Sequence, residues 1–304
     1  MKINVFSMKC LLSALLMLPC LAQADAVYAF HTYNYPNDTF TQLLGVNDKG
    51  KIAGYHGMDI NKGFTFKPST GKFKNENYPN SAQTQVVAIN NKGNTAGFYI
   101  DNSGVTHGFI ANNGFFENVD FPGTNFNQLL GRNNHGLCCG YWQDGAGNDF
   151  PYIFVEGGFR FVSLTIPGAV SAQATGINNH KVVSGFYIDA GGVNHGFILK
   201  GDDLTSLDFP GATFTQALGI NNKGLVVGTY IDVSGNMHGF LYKNGSFQSI
   251  DEPNGIGTTI VNGINNFGDI VGFYVDTNGN TDGFLGRRVK HSNSHSSHSS
   301  HSSH

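Results

Sequence analysis

One phrase occurs six times along this chain, about 44 residues apart, and this repeat constrains the fold more than any other feature. The phrase reads Gly-Ile-Asn-Asn-x-Gly, and a second phrase, His-Gly-Phe, keeps the same spacing. The six copies of the first phrase begin at Gly45, Ala88, Gly131, Gly176, Gly219 and Gly263. A fixed period of roughly 40 to 50 residues with several short strands per unit is typical of β-propeller blades.

The fifth unit shows how one repeat divides into strands. Turn residues separate four segments of β character, which we expect at residues 215–221, 225–232, 237–243 and 246–251. The Asn-Gly and Asn-x-Gly turns between them supply the positive φ angles that tight hairpins require. Six such units predict an all-β fold, a six-bladed β-propeller of four-stranded blades around a channel. A β-solenoid or an open array of the same repeats is the alternative.

The two ends of the repeat array predict how the ring closes. The sixth unit stops after its third strand at Gly283-Phe284-Leu285, whereas residues 28–36 before the first unit resemble a fourth strand. Within it, residues 30–36 match residues 116–122 in sequence. We therefore expect the N-terminal strand to close the last blade, because this arrangement removes two unpaired sheet edges.

The two termini differ from the repeats in composition. Lys2 and Lys9, the apolar run 11–18 and then Ala22-Gln23-Ala24 follow the order of a cleaved secretory signal. The apolar run is shorter than the roughly 20 residues that span a bilayer. We predict residues 1–24 as a signal peptide, residues 25–288 as the propeller and residues 289–304 as a disordered tail rich in His and Ser. The protein is thus expected to be exported, without a membrane span.

Charge and cysteine content narrow the range of partners. Without the signal the chain has 16 basic and 21 acidic residues, which gives no electrostatic footprint for nucleic acid or an anionic membrane. Cys138 and Cys139 remain after removal of the signal, and neighbours in a strand point to opposite faces. We expect two buried thiols, and a strained disulfide between these neighbours is the alternative.

The linked phrases resemble a known family. Gly-Ile-Asn-Asn-x-Gly, Val-Gly-x-Tyr and His-Gly-Phe, together with Asp-Phe-Pro-Gly at Asp120 and at Asp208, resemble the bacterial extracellular repeat family called HAF. The resemblance covers nearly all of residues 27–288, although Gly stands here where the family's triplet has Ala. It implies a secreted or periplasmic bacterial protein built of repeats, and it brings no catalytic residues to this chain.

Two repeated features are candidates for ligand binding. The first is an aromatic residue two positions after the glycine of the second strand, followed by an Asp: Tyr99 with Asp101, Trp142 with Asp144, Tyr187 with Asp189, Tyr230 with Asp232 and Tyr274 with Asp276. The second is a Gln of the innermost strand: Gln42, Gln85, Gln128, Gln173 and Gln216, with Ile260 in the sixth unit. Second-to-third loops and fourth-to-first connections open on one rim of a propeller, so we expect both features there.

These residue types suit carbohydrate recognition, because sugar C–H groups stack on aromatic rings while Asp and Gln bind hydroxyl groups. Packing between blades is the alternative role for the aromatic residues. Capping of a local turn is the alternative for the Asp residues. The sequence leaves both alternatives open.

Histidines occur in two settings. His107, His195 and His238 begin the His-Gly-Phe phrase in three different units, where we expect one packing or hydrogen-bonded His per blade rather than a shared metal site. No cofactor is expected to be required. We expect the tail to capture divalent metal ions loosely through His291, His295, His298, His301 and His304. The competing interpretation is that this tail is an affinity tag.

The favoured function is an exported, monomeric binding or interaction module whose partner is a glycan or an extracellular protein, with carbohydrate preferred. A metal-dependent lyase or lactonase at the channel mouth is one alternative. Its residues would come from the third unit, which departs most from the repeat: Arg132, His135, Cys138, Cys139, Trp142, Asp149 and Glu156. The second alternative to carbohydrate binding is a non-catalytic scaffold that contacts proteins. No Gly-x-Ser-x-Gly elbow, His-Glu-x-x-His motif or phosphate-binding loop occurs.

Overall fold

Six four-stranded antiparallel sheets form a closed ring in the computed structural model, which describes residues 26–289. The predicted signal peptide and residues 290–304, with the five tail histidines, lie outside the described residues. The strands are β1 (Tyr28–Thr32), β2 (Thr41–Val46), β3 (Ile52–His56), β4 (Lys62–Lys67), β5 (Lys72–Asn75), β6 (Gln83–Ile89), β7 (Thr95–Ile100), β8 (Thr106–Asn112), β9 (Phe115–Val119), β10 (Asn127–Arg132), β11 (Leu137–Gln143), β12 (Asp149–Val155), β13 (Arg160–Ser163), β14 (Ala169–Ile177), β15 (Val182–Asp189), β16 (Asn194–Lys200), β17 (Asp203–Leu207), β18 (Phe214–Ile220), β19 (Val226–Ile231), β20 (Met237–Lys243), β21 (Ser246–Ile250), β22 (Ile260–Ile264), β23 (Ile270–Val275) and β24 (Thr281–Arg288).

Each blade corresponds to one sequence repeat. Blades one to five contain strands β2–β5, β6–β9, β10–β13, β14–β17 and β18–β21 in sequence order, and blade six contains β22, β23, β24 and β1. The four strands predicted for the fifth unit agree with β18 to β21 within one residue at each end. The predicted six-bladed propeller is confirmed. Residues 26–289 contain a single 3₁₀ turn, Pro68–Thr70. None of the helical structure in this range is long and apolar enough to cross a membrane.

The N-terminal strand closes the ring as predicted. β1 is antiparallel to β24, and the register runs from Tyr28 opposite Arg288 to Thr32 opposite Phe284. Phe30 packs edge-on against the buried ring of Phe284, with 5.6 Å between ring centroids. The first and last parts of the propeller are therefore joined within one sheet.

The innermost strands of neighbouring blades contact one another around the channel. The glycine that begins the repeated phrase permits this contact. A Cβ atom on Gly131 would lie 3.0 Å from Gly176 Cα, and one on Gly219 would lie 3.3 Å from Gly263 Cα. The backbone of one blade therefore occupies the space that a side chain would need, and the channel narrows at this level.

The first Asn of the phrase joins each blade to the next. In blade four, Asn178 Oδ1 accepts hydrogen bonds from the backbone N–H groups of His180 and Val182 at 2.9 and 3.0 Å. Its Nδ2 donates to the carbonyl oxygen of Asn221 in blade five at 3.0 Å. The same interblade bond recurs around the whole ring, from Asn47, Asn90, Asn133, Asn178, Asn221 and Asn265.

The second Asn of the phrase forms a parallel ring. Its backbone N–H donates to the side-chain oxygen of the same position in the next blade, as in Asn179 to Asn222 at 2.8 Å. Asp48 holds this position in blade one, and its carboxylate accepts from Asn266 N and, at 2.6 Å, from Asn91 Nδ2. Two hydrogen-bonded rings therefore surround the narrow end of the channel, which we call the Asn end.

The core consists of clusters between and within blades, and it contains the two cysteines. Cys138 packs with Leu129 and Phe154, whereas Cys139 packs with Ala174 and other residues of blade four. Both thiols are free and fully buried, and burial raises the pKa of Cys138 to about 12. The adjacent cysteines therefore face opposite sides of β11 as inert packing groups.

Candidate functional site

The opposite end of the channel, which we call the Gln end, opens into a pocket on the ring axis. Its cavity volume is about 360 Å³. The five predicted glutamines all line it, so the structure brings this set together: Gln42, Gln85, Gln128, Gln173 and Gln216, with Ile260 in blade six. Leu44, Val87, Leu130 and Leu218 form an apolar layer deeper in the channel. We call this cavity the mouth pocket.

Aromatic side chains stand opposite the glutamines in this pocket. Directly paired residues of neighbouring antiparallel strands share a face of the sheet. The residue paired with each inner Gln, or with Ile260 in blade six, immediately follows the glycine of the second strand. Four of these residues are aromatic and line the pocket: Tyr55, Phe98, Phe186 and Phe273. These four residues were not among the predicted binding residues. The signal lay in the strand register, which places the residue after the glycine on the Gln face.

No charged side chain of residues 26–289 lines the mouth pocket. Its polar groups are amides and hydroxyls, and several are available to a ligand. The side chains of Gln128 and Gln216 make no hydrogen bond within residues 26–289, whereas Asn262 Oδ1 is enclosed by protein atoms. Tyr55 donates to Gln42 Oε1 at 2.7 Å, and burial raises its pKa to about 12, which keeps the hydroxyl protonated.

The pocket is less symmetric than the ring around it. Blade six contributes Ile260 and Asn262 where other blades have Gln and an apolar residue, and Thr175 replaces the apolar residue in blade four. Blade five contributes Thr229 and Met237. A ligand on the ring axis would therefore meet glutamines from five blades, together with Thr and Asn side chains on the side of blades four to six.

The predicted aromatic and Asp residues also lie at the Gln end, but they face away from the mouth pocket. Tyr99 and Tyr230 are each 8% exposed and Tyr274 is 3% exposed. Tyr99 stacks on Tyr78 at 3.7 Å between ring centroids, and Trp142 lies between Phe121 and Phe150. Tyr187, which is half-buried, stacks on His195. Because adjacent residues of a strand face opposite sides, these rings pack in apolar clusters that reach the neighbouring blade, as Tyr99 does with Ala53 of blade one.

The predicted Asp residues cap the second-to-third loops. Asp101 Oδ1 accepts from the backbone N–H groups of Ser103 and Val105 at 2.8 and 2.9 Å. Equivalent pairs of bonds are made by Asp144, Asp189, Asp232 and Asp276. Hydrogen bonds within the loops lower the pKa of all five carboxyl groups. The Asn148 side chain contributes most at Asp144, and at Asp276 the bonds outweigh an opposing effect of burial. The geometry thus favours the turn-capping alternative for this set.

Three blades hold a His between two carboxylates. In blade four, His195 Nδ1 lies 2.7 Å from Asp208 Oδ1, and Nε2 lies 3.5 Å from Asp189 Oδ2. His107 lies between Asp101 and Asp120, and His238 lies between Asp232 and Asp251. Each His ties a second-to-third loop to a fourth-to-first connection. The three histidines are thus separate hydrogen-bonded groups, as expected from the sequence.

The His195 arrangement predicts a pH dependence of stability. Partial burial acts to lower the pKa of His195, but the hydrogen bonds and charges of Asp208 and Asp189 outweigh it and raise this pKa above 6.5. A His with a raised pKa stabilises the fold fully below its unfolded pKa, and this contribution is lost as pH rises through the folded pKa. We expect the melting temperature to fall as pH rises from about 5.5 to about 8.5, and to fall less steeply in His195→Gln.

Thermal unfolding followed by circular dichroism across this pH range measures the difference. His180→Gln is the matched control, because His180 is exposed and its imidazole contacts no carboxylate in the described part of the chain. Equal slopes for the wild type and His195→Gln would contradict a stabilising role of the protonated ring.

The residues of the third unit do not form one site. Arg132 and Glu156 lie near the Asn end and pair at 2.8 Å, whereas Trp142 and Asp149 lie at the Gln end. Within residues 26–289 no group of three or more His, Cys, Asp or Glu side chains has the geometry to hold a metal ion. The repeat deviations of blade three therefore do not assemble the site that a metal-dependent lyase would need.

Comparison with known proteins supports the architecture. No protein-family model matches the sequence, and no curated protein matches it. The chain is similar to TolB from Acinetobacter baumannii, with a TM-score of 0.53 and 12% identity, over 81% of this chain and 63% of the TolB chain. It is also similar to a fungal lectin from Aleuria aurantia, described as a six-bladed β-propeller with a fucose recognition mode, with a TM-score of 0.51 and 8% identity, over 86% of this chain and 91% of the lectin.

Identities this low show the fold and no more. This chain spans slightly less than two thirds of the TolB chain that it matches. The ring of blades in the structure and these comparisons together show that the chain is a six-bladed β-propeller, a fold that the fungal lectin shares.

Proposed function

We propose that the protein is an exported binding module that takes one neutral sugar unit in the mouth pocket. The observation that carries this proposal is the lining of that pocket, where uncharged amides stand directly opposite aromatic rings. Amides donate to and accept from sugar hydroxyls, while the faces of the rings contact sugar C–H groups. A cavity of about 360 Å³ lies within the size range of small-molecule sites.

The free polar groups of the pocket strengthen this proposal. Asn262 of blade six also lines the pocket and places a further side-chain amide there. The unbonded amides of Gln128 and Gln216 add donors and acceptors on two other blades. A charged ligand would gain little here, because the lining offers no opposite charge to compensate its lost hydration.

The enzyme alternative loses support at the same place. Acid–base chemistry requires a side chain that can exchange a proton within reach of the substrate, most often His, Asp or Glu. Among the residues that the structure describes, neither a carboxylate nor an imidazole lines the mouth pocket. Its tyrosine, Tyr55, has a raised pKa and already donates to Gln42. Binding without turnover is therefore the function that the lining suits best.

The test begins with a glycan array and continues with isothermal titration calorimetry on the full chain. We expect binding of uncharged glycans with a stoichiometry of one, since the pocket lies on the ring axis. Gln128→Leu and Gln216→Leu should each weaken binding by about fivefold to tenfold, which corresponds to one lost hydrogen bond. Tyr187→Ala is the matched control at the rim and should bind normally.

Each outcome separates the two candidate regions. Loss of binding in Tyr187→Ala but not in the Gln variants, or a stoichiometry near five, would move the site to the rim and overturn the mouth-pocket proposal. An array without binding would overturn carbohydrate recognition.

A protein-contact role is the second candidate, because several loops at the Gln end carry exposed apolar side chains. Met58 and Ile60 lie in blade one, Val233 lies in blade five, and Ile256 lies in the connection to blade six, all of them exposed. Exposed apolar residues near one another are typical of protein interfaces. Cross-linking to an extracellular protein that is lost in Val233→Ser together with Ile256→Ser, with an intact mouth pocket, would favour this role.

A further inference from the structure

Basic residues are concentrated in one part of an otherwise acidic protein. Residues 49–92 contain seven of the chain's 14 lysines and, as acidic residues, only Asp59 and Glu76. The whole chain has a net charge of −3. Blade one and the first turn of blade two therefore carry a local positive charge that the rest of the propeller does not share.

The fold gathers five of these lysines around one cleft. Lys49 and Lys51 lie in the connection between β2 and β3, Lys67 is the last residue of β4, and Lys74 lies on β5. Lys92 lies in the β6–β7 turn of blade two. The cleft has a volume of about 430 Å³ and lies between blades one and two at the Asn end. Its remaining wall includes Glu76, Asn113 and small residues of blade two. We call it the lysine cleft.

The lysine charges have no carboxylate partners in the described structure. Both ion pairs that Lys or Arg make within residues 26–289 involve arginines, namely Arg132 with Glu156 and Arg287 with Asp269. The carboxylate of the buried Glu76 is directed to Thr95, whose hydroxyl donates to it. Lys51 is half-buried, and its pKa is lowered by this burial and by Lys74, with Glu76 acting in the opposite direction.

The interface between blades two and three shows how this protein stabilises a buried cation that has a structural role. The Arg132 side chain between blades two and three is almost fully buried, and its guanidinium donates to Glu156 Oε2 at 2.8 Å and to Asn112 Oδ1 at 2.7 Å. It also donates to two backbone carbonyl groups of blade two. The lysine cleft has one carboxylate, Glu76, against five lysines, and no ion pair within residues 26–289 engages these lysines, so a bound anion would relieve their mutual repulsion.

We propose that the lysine cleft binds a polyvalent oxyanion, which is a compact molecule with two or more sulfate, phosphate or carboxylate groups. Five ammonium groups from separate turns and strands act as point charges that approach an anion from several directions. A ligand with one negative charge would leave most of them uncompensated. The cleft lies at the end of the channel opposite the mouth pocket, so this site stands or falls independently of the proposed sugar site.

Two sources of this chemistry fit the cleft, namely a sulfated oligosaccharide and free polyphosphate. Calorimetric titrations of the full chain, in EDTA and at low salt, use a trisulfated heparin disaccharide, its desulfated form, inorganic tripolyphosphate and inorganic sulfate as separate probes. We expect the trisulfated disaccharide or tripolyphosphate to bind much more tightly than the desulfated disaccharide or sulfate. Binding of only one of the first two supports the site and identifies the source.

Substitution in the cleft locates the binding. Lys51→Gln, Lys67→Gln and Lys92→Gln together should weaken binding by about tenfold or more, because charge-assisted hydrogen bonds are lost. Lys200→Gln, Lys223→Gln and Lys243→Gln together are the matched control. They remove the same charge, and Lys223 and Lys243 hold the repeat positions of Lys92 and Lys67 in blade five.

The melting temperature without ligand separates a binding role from a structural role. The cleft variant should unfold at the same or a higher temperature than the wild type, because like charges are removed. Replacement of the same three lysines by Arg should preserve binding. The proposal is overturned if none of the multivalent probes binds, if both triple variants bind alike, or if the cleft variant is clearly less stable.

Discussion

Deletion of residues 27–35 should abolish cooperative folding of the full chain and produce a protein that aggregates. These residues include β1, which supplies the fourth strand of blade six and pairs with β24 over five positions. Without them the edge of β24 is unpaired, and an exposed edge is a template for association with other chains. Four half-buried aromatic side chains are lost as well: Tyr28, Phe30, Tyr33 and Tyr35.

The size of this effect follows from the lost contacts. Loss of these four aromatic contacts together with five ladder positions amounts to about 5 kcal/mol or more. Domains of this kind have a total unfolding free energy of only about 5–15 kcal/mol. We therefore expect size-exclusion chromatography to show aggregates, and urea denaturation to show no sharp transition.

Complementation tests whether closure is the cause. A synthetic peptide of residues 26–36 should restore a monomeric, cooperatively unfolding species when it is added during refolding, whereas a peptide of scrambled sequence should not. A deletion variant that unfolds at the same urea concentration as the wild type would show that the ring does not depend on this closure.

The closure and the blades could be predicted from the sequence because their signals are local. Each strand is bounded by Gly and Asn turns, and the sixth unit visibly lacks a fourth strand that residues 28–36 match. The predicted strands of the fifth unit are correct within one residue for this reason. The inner glutamines were also placed correctly, because the innermost strand of a blade lines the channel.

The face of the second strand could not be predicted in the same way. In β7 the central residues are buried on both sides, so Phe98 and Tyr99 are both apolar and the usual period-two contrast is absent. Only the register with Gln85 shows that Phe98 faces the channel and Tyr99 faces the neighbouring blade. Tyr99 was therefore the predicted candidate for ligand binding, whereas Phe98 is the residue that lines the mouth pocket.

The lysine cleft and the Asn rings depend on contacts between repeats. The sequence indicates that Asn178 caps a turn, but its bond to Asn221 exists only because blades four and five are neighbours. Likewise, Lys51 and Lys92 lie 41 positions apart and meet only across a blade interface. Properties that arise between blades are therefore visible in the structure and not in one repeat.

Asn178→Asp should destabilise the propeller by about 2–4 kcal/mol, because it removes the interblade donor and retains the turn cap. The introduced carboxylate still accepts from His180 N and Val182 N, but it places a negative charge beside the carbonyl oxygen of Asn221 in a site where Asn178 is only 5% exposed. Urea denaturation at neutral pH measures the loss. Protonation of the carboxyl restores a donor, so the difference from the wild type should shrink as pH falls toward about 4.

Asn179→Asp is the matched control, since it makes the same chemical change one residue further along. The side-chain oxygen of Asn179 accepts from Asn134 N, and its Nδ2 makes no hydrogen bond within residues 26–289. Blade one already has an acid, Asp48, at this position. We expect a loss below about 1 kcal/mol for this variant. If the two variants lose equal stability, the amide donor of the first ring contributes little, and the closure of the propeller rests on β1 and on the glycine contacts of the inner strands.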